Sequence, residues 1–332
     1  MSAEDQAAAP AATRPGYMRA VVFDGQKAVW QPQRPLPEPQ PGESLLKILL
    51  AGVCNTDKEI LRGYRPDFQG VMGHEFVARV VRSDQPELTG RRVCGEINLV
   101  CHHCLYCRSG RPHHCSNRRV PGISGKDGCF AEYMTLPTEL LHVVPDSLAD
   151  EQAVYCEPLA AALEIPEQHH IRPSQELAVL GDGRLAFMVA QVLALSGAPV
   201  TVIGRHQDKL ERFAPFARTL LQAEGTYEVV VDATGQPAGL TTAIALTRSG
   251  GRLIVKSTYA DLSQIDMSEI VVREIQIDGS RCGPFEPALR LLEKGWVSLP
   301  EVERYQPEAF AAAFSSRAFK AVLDFRGSDQ RD

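Results

Sequence analysis

No apolar run in this chain approaches the ~20 residues needed to cross a bilayer, so no helical membrane span is expected. The first sixteen residues are rich in Ala and Pro but lack the apolar core of a signal peptide, and Glu4 and Asp5 oppose a transit peptide. They read as a disordered tail, residues 1–16, on a cytoplasmic protein. An excess of positive charge is missing too. Lys and Arg number 35 against 41 Asp and Glu, and the net charge of −6 argues against a general nucleic-acid or anionic-membrane binder. There is no internal repeat and no low-complexity segment beyond the tail. At 332 residues the chain exceeds what one core usually serves, so two domains are expected.

What is present is led by cysteine. Cys101, Cys104, Cys107 and Cys115 fall in the spacing C-x2-C-x2-C-x7-C. Four thiolates at about 2.3 Å satisfy tetrahedral zinc and leave no position for substrate, so such an ion is structural. Two disulfides are the alternative, but they belong to small secreted chains. The interleaved His102, His103, His113 and His114 read as solvated loop residues, because the cysteines alone complete the set. Basic residues near this lobe are limited to Arg108, Arg111, Arg118 and Arg119, which disfavours a nucleic-acid-binding zinc ribbon. The other cysteines, at 54, 94, 129, 156 and 282, are scattered, as in a reducing compartment.

The texture of the chain changes near Ser147. Before it, strand-like stretches (Met18–Asp24, Ser44–Ala51, Gly73–Val81, Arg92–Asn98, Phe130–Leu136) predict an irregular β unit. The proline-rich Pro32–Pro41 reads as a stiff connection between the first two. From Glu176, short apolar strands alternate with amphipathic helices, the pattern of a parallel sheet. The first strand of that region runs into Gly181-Asp182-Gly183-Arg184-Leu185-Ala186, a G-x-G-x-x-A turn opening a helix. Gly181 permits the tight turn, Gly183 lets a pyrophosphate approach the backbone, and Ala186 keeps helix and sheet close. Asp182 must point away from the phosphates for dinucleotide binding to hold.

A second metal-ligating set is spread through the chain. Cys54-Asn55-Thr56-Asp57 offers a thiol and a nearby hydroxyl, His74-Glu75 an imidazole beside a carboxylate, and Cys156-Glu157-Pro158 a further carboxylate or thiol. Each alone reads as an ordinary buried or capping residue. Together they match a catalytic zinc, which needs three or four such groups and an open position.

In order and interval, these motifs resemble the zinc-dependent medium-chain dehydrogenase/reductase family, from about Met18 to Phe325. The resemblance implies an α/β chain: a GroES-like catalytic domain over 17–150, completed by about 285–332, and a Rossmann domain over 151–284. It further implies two zinc ions. Cys54, His74 and either Glu75 or Glu157 hold the catalytic one, and the four-cysteine lobe holds the structural one. Thr56 would begin a proton relay as hydride leaves a small-molecule secondary alcohol for the nicotinamide. Homodimers and homotetramers both occur in the family, so an oligomer is expected.

Two departures refine the expectation. Many alcohol and polyol dehydrogenases carry a relay histidine five residues after the first ligand; here that residue is Glu59, which is closer to the aldose branch. A sugar or polyol is therefore favoured as substrate, with threonine next and a catalytically silent nucleotide-binding relative as the rival class. At the other departure, Lys256 stands where relatives often have glycine, and either approaches the cofactor or leaves the sheet for solvent. Cofactor contacts are expected from Gly181, Gly183, Arg184, Leu185, Gly204, Arg205, His206 and Thr234. The strand Val200–Ile203 has no acid at its tip, so NADP is expected over NAD, with Gly204 leaving room for a 2′-phosphate and Arg205 meeting it.

Overall fold

The computed structural model describes residues 16–258 and 262–329, so the expected tail falls almost wholly outside the described residues. The first unit is built from β1 (Tyr17–Phe23), β2 (Ala28–Pro35), β3 (Glu43–Gly52), α1 (Asn55–Leu61), β4 (Gly70–Val71), β5 (Glu75–Arg82) and β6 (Arg92–Gly95). The cysteine lobe with its short helix α2 (Leu105–Arg108) follows, then β7 (Val120–Pro121), β8 (Gly125–Lys126), β9 (Tyr133–Pro137) and β10 (Leu141–Val143). Part of the proline-rich stretch expected to be a connection is strand: β2 pairs antiparallel with β1, and Pro35 ends the pairing opposite Tyr17. Proline is tolerated there because β2 lies at the edge of its sheet and needs no donor on that side.

Helices α3 (Asp150–Ala153) and α4 (Cys156–Gln168) lead into the second unit. It runs β11 (Leu177–Leu180), α5 (Arg184–Ala194), β12 (Val200–Ile203), α6 (Gln207–Leu210), β13 (Arg218–Leu220), β14 (Tyr227–Asp232), α7 (Pro237–Leu246), β15 (Thr247–Val255), α8 (Met267–Val272) and β16 (Gln276–Gly279). Its sheet is parallel throughout, in the order β13-β12-β11-β14-β15-β16. Covered on both faces, β11 is buried at every residue, which explains its unbroken Leu-Ala-Val-Leu run. The order reverses between β11 and β14, and the crevice at such a switch point is where open α/β sheets take their ligands. β13 is only three residues long and partly exposed.

The chain then returns to the first unit. Helix α9 (Phe285–Glu293) buries Phe285, Ala288 and Leu289 in the core shared with α4 and α5. After β17 (Glu303–Tyr305) and helix α10 (Phe310–Ser315), β18 (Ala321–Asp324) pairs antiparallel with β3, Leu323 lying opposite Ala51. On the other side of β3, β5 pairs with Glu75 opposite Gly52. Three strand ends far apart in sequence therefore lie side by side. No helix among the described residues is long and apolar enough to cross a membrane.

Leu323 is fully buried in the core of the first unit, beside Phe325. Leu323→Ala should cost about 2–5 kcal/mol of stability, read as a lower denaturant midpoint at unchanged slope. A loss below about 1 kcal/mol would show that the C-terminal strand is not part of that core.

Candidate active site

A cleft of about 1570 Å³ runs between the two units. At its floor stand the strand ends just described, with Cys54 directly after β3 and His74 directly before β5. Ligand atoms of Cys54, His74 and Glu75 lie within 4.8 Å of one another. His74 is buried, and its Nδ1 faces Asp57 Oδ1 at 3.5 Å, which leaves Nε2 for a metal. Neither of these buried atoms has another hydrogen-bond partner, and a carboxylate facing the second ring nitrogen is the usual arrangement around a metal-binding histidine. Asp57 also accepts from the Cys54 backbone N–H at 2.8 Å, which ties helix α1 to the turn carrying the thiol. Burial opposes ionisation of Cys54, but the hydrogen bond and charge of His74, with Lys320 adding to them, bring the thiol down to about 6.

The two candidate glutamates differ in their surroundings. The Glu75 carboxylate forms an ion pair with Lys320, which sits just before β18. Both side chains are buried, and Gly52 makes the space: a Cβ there would lie 2.7 Å from Lys320 Cε and 2.8 Å from Glu75 Oε2. Burial brings the Lys320 ammonium down to about 8. Glu157, in the first turn of α4, lines the same cleft, and burial pushes its carboxyl up to about 7, with His74 opposing. The Thr56 hydroxyl lies 3.6 Å from the Cys54 sulfur. Glu59, one turn further along α1, faces the cleft and accepts from Arg62 Nη1 at 2.7 Å.

The cysteine lobe forms one wall. The sulfurs of Cys104 and Cys107 are 3.5 Å apart, those of Cys101 and Cys115 3.5 Å, and those of Cys104 and Cys115 3.9 Å. Four sulfurs at about 2.3 Å from one tetrahedral ion stand about 3.8 Å apart, so the lobe fits zinc and is not cross-linked by disulfides. His102 turns to Glu139 at 2.8 Å and His113 to Asn98 at 3.3 Å, which takes both away from the sulfurs.

Across the cleft is the glycine turn. Gly181 has φ +126°, and a Cβ there would lie 2.8 Å from the Ala233 carbonyl oxygen, so only glycine fits. A Cβ on Gly183 would meet nothing within 4 Å; the open space in front of the N-terminus of α5 suits a pyrophosphate. Arg184 and Leu185 line the cleft, but the Arg184 side chain crosses it and donates to the Val53 carbonyl at 2.9 Å, linking the two units beside Cys54. Thr234 also lines the cleft and gives its hydroxyl to Asp232 Oδ1 at 2.8 Å.

Three readings of the sequence change here. Lys256 neither approaches a cofactor freely nor enters solvent: its ammonium is buried and donates to the carbonyls of Ala161 and Arg281 and to Ser280 Oγ, fastening β15 to α4. Gly204 does not leave room for a phosphate, because the Asp182 side chain packs against it. The tip of β12 is also not free of acid: Asp182 points away from the turn and accepts from the backbone N–H of Arg205 at 2.7 Å. Burial works against this carboxylate, but His206 and the two backbone donors hold it below the ordinary range. Arg205 and His206 are exposed beside it. The roles of Asp57 and Lys320 are absent from the sequence reading. Asp57 follows Cys54 closely enough to be suspected, but nothing local marks Lys320.

Residues 40–146 match the alcohol dehydrogenase GroES-like domain. An L-threonine 3-dehydrogenase of Streptomyces avermitilis is 30% identical over 346 residues, covering 93% of this chain and 99% of its own. The chain belongs to the zinc-dependent medium-chain dehydrogenase/reductase family. D-arabinitol dehydrogenase 1 of Uromyces fabae is 28% identical, with 94% and 98% covered. Among solved structures, a zinc-binding dehydrogenase from Sinorhizobium meliloti, bound to NADP, superposes with a TM-score of 0.84 at 26% identity, over 93% of this chain and 99% of that one. The GroES-like unit beside a Rossmann sheet is the family's architecture. The chain is accordingly an NAD(P)-dependent, zinc-dependent alcohol oxidoreductase.

Proposed function

We propose that this enzyme oxidises a secondary alcohol of a sugar or polyol, and reduces the corresponding ketone. The observation that carries the substrate class is the set of polar side chains in the cleft wall, where Arg62, Tyr64, Arg65, Asn98, Arg118 and Ser124 stand among Ile97, Val120 and Ile123. Arg65 donates to Ser124 Oγ at 3.1 Å, joining the loop after α1 to the loop between β7 and β8. Such a wall meets many hydroxyls; the likeness to the arabinitol enzyme supports the same reading. The kinetic test is a panel of polyols, aldoses and threonine with both dinucleotides. Polyols or sugars should lead in kcat/KM; a wide lead for threonine, the substrate in the name of the Streptomyces relative, overturns the substrate class, and no turnover of any alcohol overturns the enzyme reading in favour of a silent nucleotide binder.

Two zinc ions per chain are proposed. Cys101, Cys104, Cys107 and Cys115 would hold the structural one, and Cys54, His74 and Glu157 the catalytic one. Glu75 lies nearer the thiol, but Lys320 already neutralises it, which leaves Glu157 as the available carboxylate. When bound, the metal supplies Lewis acidity and the dinucleotide a hydride acceptor. Thr56 Oγ1, beside the Cys54 sulfur, would accept the proton of the substrate hydroxyl while passing its own outward. Glu59, three residues on and on the same face of α1, receives it at the cleft edge, where Arg62 holds the carboxylate in place. Arg184 keeps the glycine turn against the Cys54 segment, so that substrate and dinucleotide meet across a narrow gap. Metal analysis of replete protein should give two zinc ions in the wild type, about one in Glu157→Gln and two in Glu75→Gln; loss of the ion from the Glu75 variant instead would reverse the assignment.

The catalytic unit is taken as residues 17–150 with the C-terminal part from about 285, and the dinucleotide unit as 151–284, a division favoured by the pairing of β18 with β3. The setting proposed is cytoplasmic, where nine cysteines with no disulfide among them stay reduced. A homo-oligomer is proposed across the outer edge of the parallel sheet. There β16 is the edge strand, and α8 exposes Met267, Val271 and Val272, the last 81% accessible. Sedimentation should show a dimer or larger species that Val272→Glu dissociates; a wild-type monomer at micromolar concentration would remove the proposal. The NADP preference expected from Gly204 and Arg205 is not carried into this reading, because Asp182 stands in the same corner.

A further inference from the structure

A Rossmann unit that takes NAD usually presents a carboxylate to the adenosine ribose from the tip of its second strand. In this chain that tip is Gly204, which has no side chain. The glycine turn sends a carboxylate there instead. Asp182 Oδ2 accepts from the backbone N–H of Arg205 at 2.7 Å, the backbone N–H of His206 at 3.0 Å and His206 Nδ1 at 2.8 Å. Lys209 Nζ stands 3.8 Å from Oδ1. Gly204 permits this approach, since a Cβ on it would lie 2.6 Å from Asp182 Cβ and 2.9 Å from Oδ2.

Two backbone N–H groups, an imidazole and an ammonium make a cradle for an anion; the Arg205 side chain is exposed next to it and donates to Gln236 Oε1 at 3.5 Å. It is the kind of cradle a ribose 2′-phosphate needs, and the chain's own carboxylate fills it. Three donors converge on Oδ2, whereas Oδ1 has only the distant Lys209 and keeps acceptor capacity. An incoming phosphate must expel Asp182 from its hydrogen bonds or share the cradle with a like charge. A ribose hydroxyl need only donate to Oδ1.

We propose that Asp182 is the residue that selects the cofactor: lodged against Gly204 and the Arg205–His206 backbone, it accepts from the ribose 2′-hydroxyl of NAD and shuts out the 2′-phosphate of NADP. The role of the second-strand acid has moved to the glycine turn, where it meets Arg205 through the backbone N–H. This rests on the dinucleotide-binding reading of the cleft and deepens it.

The test is binding of NADH and NADPH, followed by nicotinamide fluorescence, to the zinc-loaded wild type, Asp182→Asn, and Asp182→Asn combined with Arg205→Ala. Wild type should bind NADH more tightly. Asp182→Asn keeps the side chain's shape but removes its charge, and should shift the ratio of the two dissociation constants towards NADPH by on the order of 10- to 100-fold. Adding Arg205→Ala should take back most of that gain. Tighter NADPH binding by the wild type overturns the proposal without recourse to any variant. An unmoved ratio in a folded Asp182→Asn protein overturns it too, and both results leave the dehydrogenase reading standing. If wild type binds neither dinucleotide, that reading falls and this one with it.

Discussion

The buried ion pair between Glu75 and Lys320 is the interaction on which the arrangement of the cleft depends. A lone buried charge would cost several kcal/mol, so neither side chain can occupy its place without the other. Lys320 is delivered by the approach to β18 and Glu75 by the start of β5, and both strands flank β3, whose last residue Gly52 leaves the gap between them. Cys54 follows β3 and His74 precedes Glu75, so the same strand register that seats the ion pair brings thiol and imidazole together. The C-terminal segment thus belongs to the site as well as to the core.

Charge is managed differently at each corner of the cleft. On its floor, a lysine holds one carboxylate while a second, Glu157, remains buried with a raised affinity for protons, a condition that a divalent cation relieves. At the dinucleotide side, Asp182 is surrounded by donors and stays ionised. Between them, Lys256 is spent on carbonyl groups, which joins the parallel sheet to the helix that carries Glu157. Arg184 makes the corresponding tie to the catalytic unit through the Val53 carbonyl. These charged residues do different jobs because their nearest partners differ.

Much of this was legible in the residues themselves. The C-x2-C-x2-C-x7-C spacing specifies a closed tetrahedral site over so short a distance that little freedom remains, and its sulfurs are gathered accordingly. The alternation of short apolar strands with helices after Glu176 implies a parallel sheet, because no other arrangement covers both faces of strands such as Leu177–Leu180. Gly181 and Gly183 differ from other residues in what backbone and space they allow, so their roles are local. Joint occurrence of Cys54, His74 and Glu157 pointed to a shared metal, although the sequence alone left the choice between Glu75 and Glu157 open.

What only the tertiary structure decided concerns partners distant in sequence. Lys320 lies near Glu75 through strand pairing, and no local pattern announces it. Pro32 and Pro35 suggested a connection, but an edge strand has one side that needs no donors, and edge position is a property of the sheet. Asp182 and Gly204 looked like separate features, one an inconvenient acid and the other a space for phosphate. They are one contact, formed where two parallel strands end beside each other. The sequence by itself determined the fold class, the gathering of the four lobe cysteines and the glycine turn at the head of α5, since these depend on spacing and side-chain chemistry. Which carboxylate is neutralised, which cation is spent and where the acid of the glycine turn points were decided by packing, because a charge takes its meaning from the atoms that surround it.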